Sequence, residues 1–569
     1  MIAVVAALFF SLTVLTAQAE QLAFPGAEGF GRFASGGRGG TVYYVTSLED
    51  CPDNALVEGT LRWALKTGDT SEPRTVLFNV AGTIHLTSVL KCSTKNVSIL
   101  GQRALGGGIC IADHEFKLNG AENVIIRYLR FRKGDNSNES AFGVENSKNV
   151  IIDHCSFSWS SEENVTMYDN DSTTLQWTIS SEALYNSVNT KGARSYGGQW
   201  GGEHSSFHHN LFAHCLRRVP QVYGVSSGDS DPTTHDFFVD QEMYNNVVYN
   251  SNGSGENAYN GRLHAPNVST AYLNVNMAKN YYVSGPATYQ SGGKQYIMTI
   301  YNQNSGSDAC TGISKWYIEG NEQQINSYCK YSTTNLNNLA IDNWLNASNT
   351  GSNPRFVNFK SALTANVSIG GTGSYTDYKA DAPSVNSGIE TTTAELAYRA
   401  VLANAGARLP LTDKVDTRVI NEAAGNVAPI YHGDLQPTWL GIIDSLNDLK
   451  PEGAGDEWTA WPDLSAEGDM TPIVDTDGDG MPDEYEDANG FDKLDASDGA
   501  AIASSGYSNL EEYQNSVVTW IPAAVQETAA RSGKKVRLGL YDLQGRRLGA
   551  EPNGIPYVKD GELLMKQTR

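Results

Sequence analysis

Positive charge is scarce in this chain. Lys and Arg total 41 against 64 Asp and Glu, a formal net charge of -23, which argues against a general nucleic-acid binder, because such proteins neutralise phosphates with basic surfaces. A polyanion would have to be held by a local cationic cleft or a bridging metal. Long apolar runs are missing beyond residues 2–15 (IAVVAALFFSLTVL), so no membrane span is expected. That run ends at Ala17-Gln18-Ala19, the pattern of a secretory core and its small-residue cleavage site, although no Lys or Arg precedes it. Residues 1–19 therefore read as a signal peptide, and the protein as secreted to the medium, the cell surface or a periplasm. Cysteine is sparse too. The seven residues, at 51, 92, 110, 155, 215, 310 and 329, lack metal-ligand spacing, and their odd number leaves at least one unpaired. Cys155 and Cys215 sit in apolar strand contexts and read as packing residues; Cys310 and Cys329 fit a loop closure. Long helical periodicity is rare, which together with 56 Gly and 28 Tyr points to β structure.

What is present is a series of short β-rich runs from residue 76 onward: VLFNVAGTIHL, NVSILG, NVIIRYLRFR, NVIIDHCSFSW, TLQWTISSEAL, SSFHHNLFAH, DQEMYNNVVYN and YLNVNMAKNYYVSG. Asn123 to Asn149 spans 26 residues, as does Phe131 to Phe157; Phe157 to Phe212 spans 55, about two further coils. A period in the twenties with widening insertions predicts an all-β solenoid whose coils stack a continuous core. Asn210, Asn246 and Asn280 each precede apolar strand residues and are expected to stack as an amide ladder at a bend. AELAYRAVLANAGARLP carries helical spacing from Leu396 to Leu402 with Gly406 as its stop, and is expected to cover an open end of the solenoid. The Gly-rich FPGAEGFGRFASGGRGG has neither a strand before it nor a helix after it, and reads as a turn-rich entry to TVYYVT rather than a nucleotide loop. At 569 residues the chain exceeds one compact core. Its expected divisions are a solenoid over 20–450, an acidic linker over 451–470, a calcium-loop module over 471–520 and a β tail over 521–569.

The chemistry is concentrated between Asp153 and Gly224. Acids come first (Asp153, Glu162, Glu163), then an isolated Lys191, then Arg217 and Arg218. In a stacked solenoid, residues one coil apart lie roughly 4.8 Å apart in space. Strand alternation turns Asp153 outward while Ile152 and His154 face the other way, so Asp153, Glu162 or Glu163, and Arg218 are expected to share a surface cleft. Clustered carboxylates suit a hard cation such as Ca²⁺. His208, His209 and His214 sit among packing residues and are not assigned proton transfer.

Six stretches in order, GFGRFASGGRGGTVYYVTSLED, RTVLFNVAGTI, NVIIDHCSFSW, TKGARSYGGQWGG, SSFHHNLFAH and RRVPQVYG, give residues Phe24 to about Asn426 a specific resemblance to the family-1 polysaccharide lyases, the pectate lyases, in their bacterial secreted form. The resemblance implies a right-handed parallel β-helix and Ca²⁺-dependent cleavage of polygalacturonate by β-elimination. It further implies Asp153 as a calcium ligand, Glu162 or Glu163 as the next acid, Lys191 on a substrate carboxylate and Arg218 as the base. Substrate contacts are placed at Lys191, Arg217 and Tyr223, the last standing where the family usually has a second arginine. The segment before IIDH, often Asp-rich in the family, reads NESAFGVENS.

Residue types and reaction agree. Removing the C5 proton of a galacturonate is hard because its carboxylate is already negative, and a cation with a lysine on that carboxylate stabilises the developing enolate. Arginine loses its proton reluctantly, with a pKa above about 12, but neighbouring cations and desolvation favour the neutral form. Two other readings are a solenoid hydrolase of the polygalacturonase type, working through paired carboxylates, and a non-catalytic pectin-binding solenoid. A monomer is expected.

A second metal signal stands apart. Asp475, Asp477, Asp479, Gly480 and Glu486 fit D-x-D-x-D-G-x5-E, with Asp483 at the ninth position and Pro482 inside the loop. These five acids are expected to hold a structural Ca²⁺. The tail from Val536 resembles C-terminal sorting segments of exported proteins.

Overall fold

The computed structural model describes residues 20–223, 237–251, 259–262, 271–288, 298–300, 315–324, 326–328, 332–347, 357–359, 378–434, 437–518, 540–541, 557–559 and 562–564. The expected signal peptide, Cys310 and Cys329 lie outside these residues. Each coil supplies one strand to each of three parallel sheets. A coil in the middle of the chain runs from Lys148–Asp153 in the first sheet to Ser156–Ser158 in the second and Glu163–Tyr168 in the third. The first sheet has ten strands, from Thr41–Val45 to Lys315–Glu319; the other two have nine each. This is a parallel β-helix, as the recurring Asn-Val-Ile-Ile pattern requires.

Register explains why these sequences stack. On the first sheet Ile99, Ile126, Ile152, Leu175, Phe207, Met243, Met277 and Ile318 are successive partners, all buried in one core. The second sheet carries Ile111, Phe131, Phe157, Ser180, Phe212 and Val248 in the same way. Ser180 fills the coil between Phe157 and Phe212, so 55 residues do make two turns. Alternation leaves the intervening side chains facing outward.

Bends between the first and second sheets place Tyr128, His154, Trp177, His209, Asn245 and Lys279 at positive φ, a conformation unusual for such residues. The amide ladder sits one residue later. Asn210 donates to Asn246 (3.0 Å), Asn246 to Asn280 (3.1 Å), Asn280 to Asn321 (2.9 Å) and Asn321 to Asn343 (3.0 Å). The same side-chain nitrogens also bond carbonyls of Leu175, Phe207, Met243 and Met277, which satisfies buried polar groups at each bend.

Helix Ala394–Asn404 forms with Thr393 as its N-cap, but it does not close an end. It lies along the outer face of the second sheet, where Ile179, Leu211, Ala213 and Val247 present an apolar stripe that Ala394 and Val401 cover. The ends are met instead by Leu61–Lys66, which buries Leu61, Ala64 and Leu65, and by Thr333–Ile341, which buries Leu336 and Leu339.

The Gly-rich stretch before Thr41 forms a strap across the outer face of the first sheet. The Gly31 N–H donates to Thr174 Oγ1 at 2.9 Å, and side chains at Gly31, Gly37 and Gly40 would collide with carbonyls of Val150, Arg74 and Pro73. Residues 451–470, expected as a linker, are also packed down. Trp461 Nε1 donates to the Arg132 carbonyl at 2.9 Å, Leu464 is fully buried, and Gly106 and Gly107 donate to the Asp469 and Leu464 carbonyls. Within the expected tail, Leu540–Tyr541, Tyr557–Lys559 and Glu562–Leu564 make a small antiparallel sheet.

Candidate active site

The outward face of the third sheet forms an open groove of about 550 Å³. Its walls hold five acids, Glu115, Glu139, Glu145, Glu162 and Glu163, and four cations, Lys117, Lys191, Arg194 and Arg218. The floor is the outward column Thr166 and Gln199 on neighbouring strands. Inward residues of those strands, Met167 and Trp200, lie in the core, so the floor is fixed by packing beneath it. Gly143 lets Glu115 lie against its strand, since a Cβ there would press on Glu115 Oε1.

Arg218 sits just past an isolated bridge to the strand Tyr196–Gly201, in the left-handed conformation with φ 50°. Such non-glycine residues recur at functional sites, where surrounding structure holds them. Its carbonyl accepts from the Gly198 N–H at 2.7 Å. The guanidinium lies over the Tyr196 ring, 4.1 Å from its centre, and bonds Glu163 Oε1 and Gln199 Oε1, the latter at 3.1 Å. One quarter of the Arg218 side chain remains exposed, facing the groove.

Lys191 stands on the insertion between Ile179–Ser181 and Tyr196–Gly201. It is two-thirds exposed and reaches Glu162 Oε1 at 2.9 Å, with Arg194 on the other oxygen at 3.4 Å. Burial would raise the Glu162 pKa, but bonds from Lys191 and Asn189 and the Arg194 charge hold it below the usual carboxylate range. Across the groove Lys117 pairs with Glu145, and His114 Nδ1 with Glu139 at 3.1 Å. Burial pushes Glu115 up to about 7; Lys117 opposes this, and Glu145, Glu139 and Glu163 add repulsion.

Lys191, Glu162, Glu163 and Arg218 therefore share one groove, as their spacing suggests. Asp153 does not join them, which corrects the expectation. It points outward from the first sheet, not the third, and the strap of residues 20–40 covers that face. It is fully buried and bonded to Arg127 Nε, His154 Nδ1 and Gln176 Nε2, each at 2.8 Å. Burial alone would raise its pKa, but the His154 and Arg127 charges hold it far below the carboxylate range. Arg217 bridges Tyr196 through its backbone and is not among the groove's lining residues. Tyr223 pairs with Gly201 and Arg262 through its strand; its side chain lies outside the described residues. His208 and His209 are buried and bond each other, and burial pushes His208 down to about 3 and His209 well below its usual value. His214 Nε2 meets Glu422 at 2.7 Å.

Glu115, Glu139 and Glu145 were not singled out from sequence. A signal for two of them exists, because Glu115, Glu139 and Glu163 recur at intervals of 24 residues, one coil each. The groove's carboxylates are an all-oxygen donor set, the kind a hard cation takes. Among the described residues, three groups of acids or histidine bring ligand atoms within 4.8 Å of one another, and none is in this groove. Asp475, Asp477 and Asp479 form one, and Asp479, Glu486 and Asp498 another. Asp483 faces elsewhere: its two oxygens accept from the Thr476 N–H and hydroxyl, each at 2.8 Å.

No family model matches the chain. Among curated proteins, the probable pectate lyase C of Aspergillus flavus is 32% identical over 514 residues, covering 89% of this chain and 96% of that protein. The probable pectate lyase C of Emericella nidulans is 31% identical over 502 residues, covering 87% and 93%. Among solved structures, a pectate lyase from Bacillus sp. N165 in complex with trigalacturonate aligns with a TM-score of 0.39 at 18% identity, over 67% of this chain and 98% of that one.

Proposed function

Because the chain belongs to the pectate lyases, we propose that its groove cleaves polygalacturonate by calcium-dependent β-elimination, with Arg218 as the base. The observation that carries this reading is Arg218 itself, held by Tyr196 and Gln199 at the floor of an acid-lined groove on a parallel β-helix.

The groove divides its work by charge. Lys191, Lys117 and Arg194 offer cations to the carboxylates of a polyuronide, which lets a protein of net charge -23 accept a polyanion. Glu163, with Glu115, Glu139 and Glu162 beside it, would hold Ca²⁺, which when bound supplies Lewis-acid stabilisation of the uronate carboxylate. Arg218 in its neutral form takes the C5 proton, the C4–O bond breaks with its electrons on the leaving oxygen, which takes a proton from water, and a C4–C5 double bond remains. For that step Arg218 has to part from Glu163. Tyr196 beneath the guanidinium and Gln199 beside it keep it positioned after the ion pair opens. Export, for which residues 1–19 are the support, would put the enzyme where its polymer is.

Polygalacturonate with and without a chelator tests the reading. The expected product absorbs in the ultraviolet as an unsaturated uronide and is lost on chelation. Arg218→Ala is expected to lower kcat by about 10²–10⁴-fold, the range of a lost general base. Reducing ends without that absorbance would mark a hydrolase and overturn the assignment; unchanged kcat in Arg218→Ala would remove Arg218 as the base.

A further inference from the structure

The acids of the C-terminal module meet in a way their loop motif does not describe. Glu486 is fully buried, and neither of its carboxylate oxygens has a hydrogen-bond partner. Asp479 is 6% exposed with Oδ2 unpartnered, and on the half-buried Asp477 and Asp498 the oxygens Oδ2 and Oδ1 are shielded from solvent and unpartnered. Asp475, Asp477 and Asp479 bring ligand atoms within 4.8 Å of one another, as do Asp479, Glu486 and Asp498. Five carboxylate oxygens are thus held out of water without a partner, on acids that come together in two overlapping groups sharing Asp479, an arrangement that burial disfavours unless a cation compensates.

Asp498 is not part of the loop motif. It lies twelve residues beyond Glu486, on the short helix Ser497–Ala500, and its other oxygen is fixed by the Asp492 N–H at 2.9 Å. Gly499 beside it makes the approach feasible, since a side chain there would collide with the Asp479 carboxylate. Asp483, at the motif's ninth position, is spent on Thr476.

The same loop is pressed against the start of the β-helix. Asp475 Oδ2 accepts from the Tyr44 hydroxyl at 2.8 Å, and Tyr44 belongs to the first strand, Thr41–Val45. At Gly480 the loop is packed tightly enough that a side chain would press on Leu77 and Leu510. Met481, Leu510 and Tyr513 share a buried cluster with Leu77, Leu100 and Phe24. Arg38 pairs with Glu511 at 2.8 Å, and Arg103 donates to the Tyr513 carbonyl at 2.8 Å.

We propose that Asp475, Asp477, Asp479, Glu486 and Asp498 form a Ca²⁺ site separate from the groove, and that the ion locks the module onto the first coils of the β-helix. The donors are all carboxylate, numerous and irregularly disposed, which selects Ca²⁺ over an ion demanding strict octahedral geometry. Ligands from two segments make the ion a bridge within the module. Tyr44 and Gly480 carry that rigidity to the strand beneath.

The test uses the full chain, stripped of metal and titrated with Tb³⁺ alone, excited through tyrosine, and separately with Ca²⁺ in calorimetry. Expected is one tight ion whose binding weakens at least tenfold in Asp498→Asn and in Glu486→Gln, and stays as in wild type in Asp483→Asn and in the groove variant Glu163→Gln. Ca²⁺ should raise the thermal midpoint of wild type and protect Thr41–Val45 from hydrogen exchange, and should do neither in Asp498→Asn. Wild-type affinity in both Asp498→Asn and Glu486→Gln would overturn the site. Binding that leaves the midpoint and the exchange of Thr41–Val45 unchanged would overturn the lock.

Discussion

Asp153 is a fully buried carboxylate on the outer face of the first sheet, bonded to Arg127, His154 and Gln176. Its side chain leaves the core and pairs with Arg127, and Phe24, from 129 residues earlier in the chain, covers the pair where the strap passes over the sheet. Arg127 below and Phe24 above, 3.7 Å from the guanidinium carbon, complete a sealed ion pair. Removing one charge of such a pair strands the other, so Asp153→Asn is expected to destabilise the fold by about 3 kcal/mol. A urea titration would measure it, and calcium affinity at the groove should be unchanged in the folded protein. The pH dependence has a definite sign. The folded pKa lies below the unfolded value of about 3.9, so the contribution is complete above about pH 5 and fades as pH falls below about 4. Asp153→Asn should therefore flatten the acid limb of stability; an unchanged limb would show that Asp153 is not the group responsible. Asp498 escaped notice because it lies outside the spacing of the calcium loop and reaches it only as the chain returns through a short helix.

At the scale of elements, the amide ladder shows how repetition becomes stability. Each asparagine in the buried run satisfies its own bend and the next, so Asn246 serves four groups: the Phe207 carbonyl, the Asn280 side chain, and the backbone and side-chain N–H groups of Asn210. Asn246→Ala leaves several of these buried without partners, at about 1–3 kcal/mol for each group left unsatisfied. An overall loss of about 3 kcal/mol is expected. Asn96, which ends the half-exposed ladder through Asn123, should cost about 1 kcal/mol when changed to Ala, mostly from its left-handed backbone at φ 49°, since water replaces its partner. Equal losses in urea unfolding would deny the ladder its role. This ladder, the coil period and the common groove of Lys191, Glu162, Glu163 and Arg218 were legible because each depends on intervals within the repeat. The seat of helix Ala394–Asn404 was not. Its apolar spacing is plain, but the stripe it covers is assembled from Ile179, Leu211 and Val247 of three different coils.

Across the whole molecule, the division between solenoid, linker and module is less complete than composition suggests. The acidic Pro/Gly-containing segment after residue 450 has the look of a tether because polar residues serve equally well in one and in a packed surface crossing. What decides is the pair of glycines at 106 and 107, whose N–H groups bind its backbone, and Trp461, which reaches Arg132. The module beyond it buries Met481, Leu510 and Tyr513 against Leu77 and Leu100. At about 1.5–3 kcal/mol for each large apolar side chain, removing that cover is expected to cost about 5 kcal/mol or more, on the scale of a domain's total stability. In a stacked repeat, however, coils are stabilised mainly by their nearest neighbours, so the loss should stay local. A chain ending at residue 470 is expected to lose hydrogen-exchange protection in Thr41–Val45 and Arg74–Phe78 while Glu163–Tyr168, four coils further on, keeps it. An apolar dye should bind the uncovered face, and cleavage of polygalacturonate should persist at low temperature. Uniform protection in both chains would mean that the module is an independent passenger. Uniform loss would mean that the β-helix unfolds as one cooperative unit from its first coil to the groove.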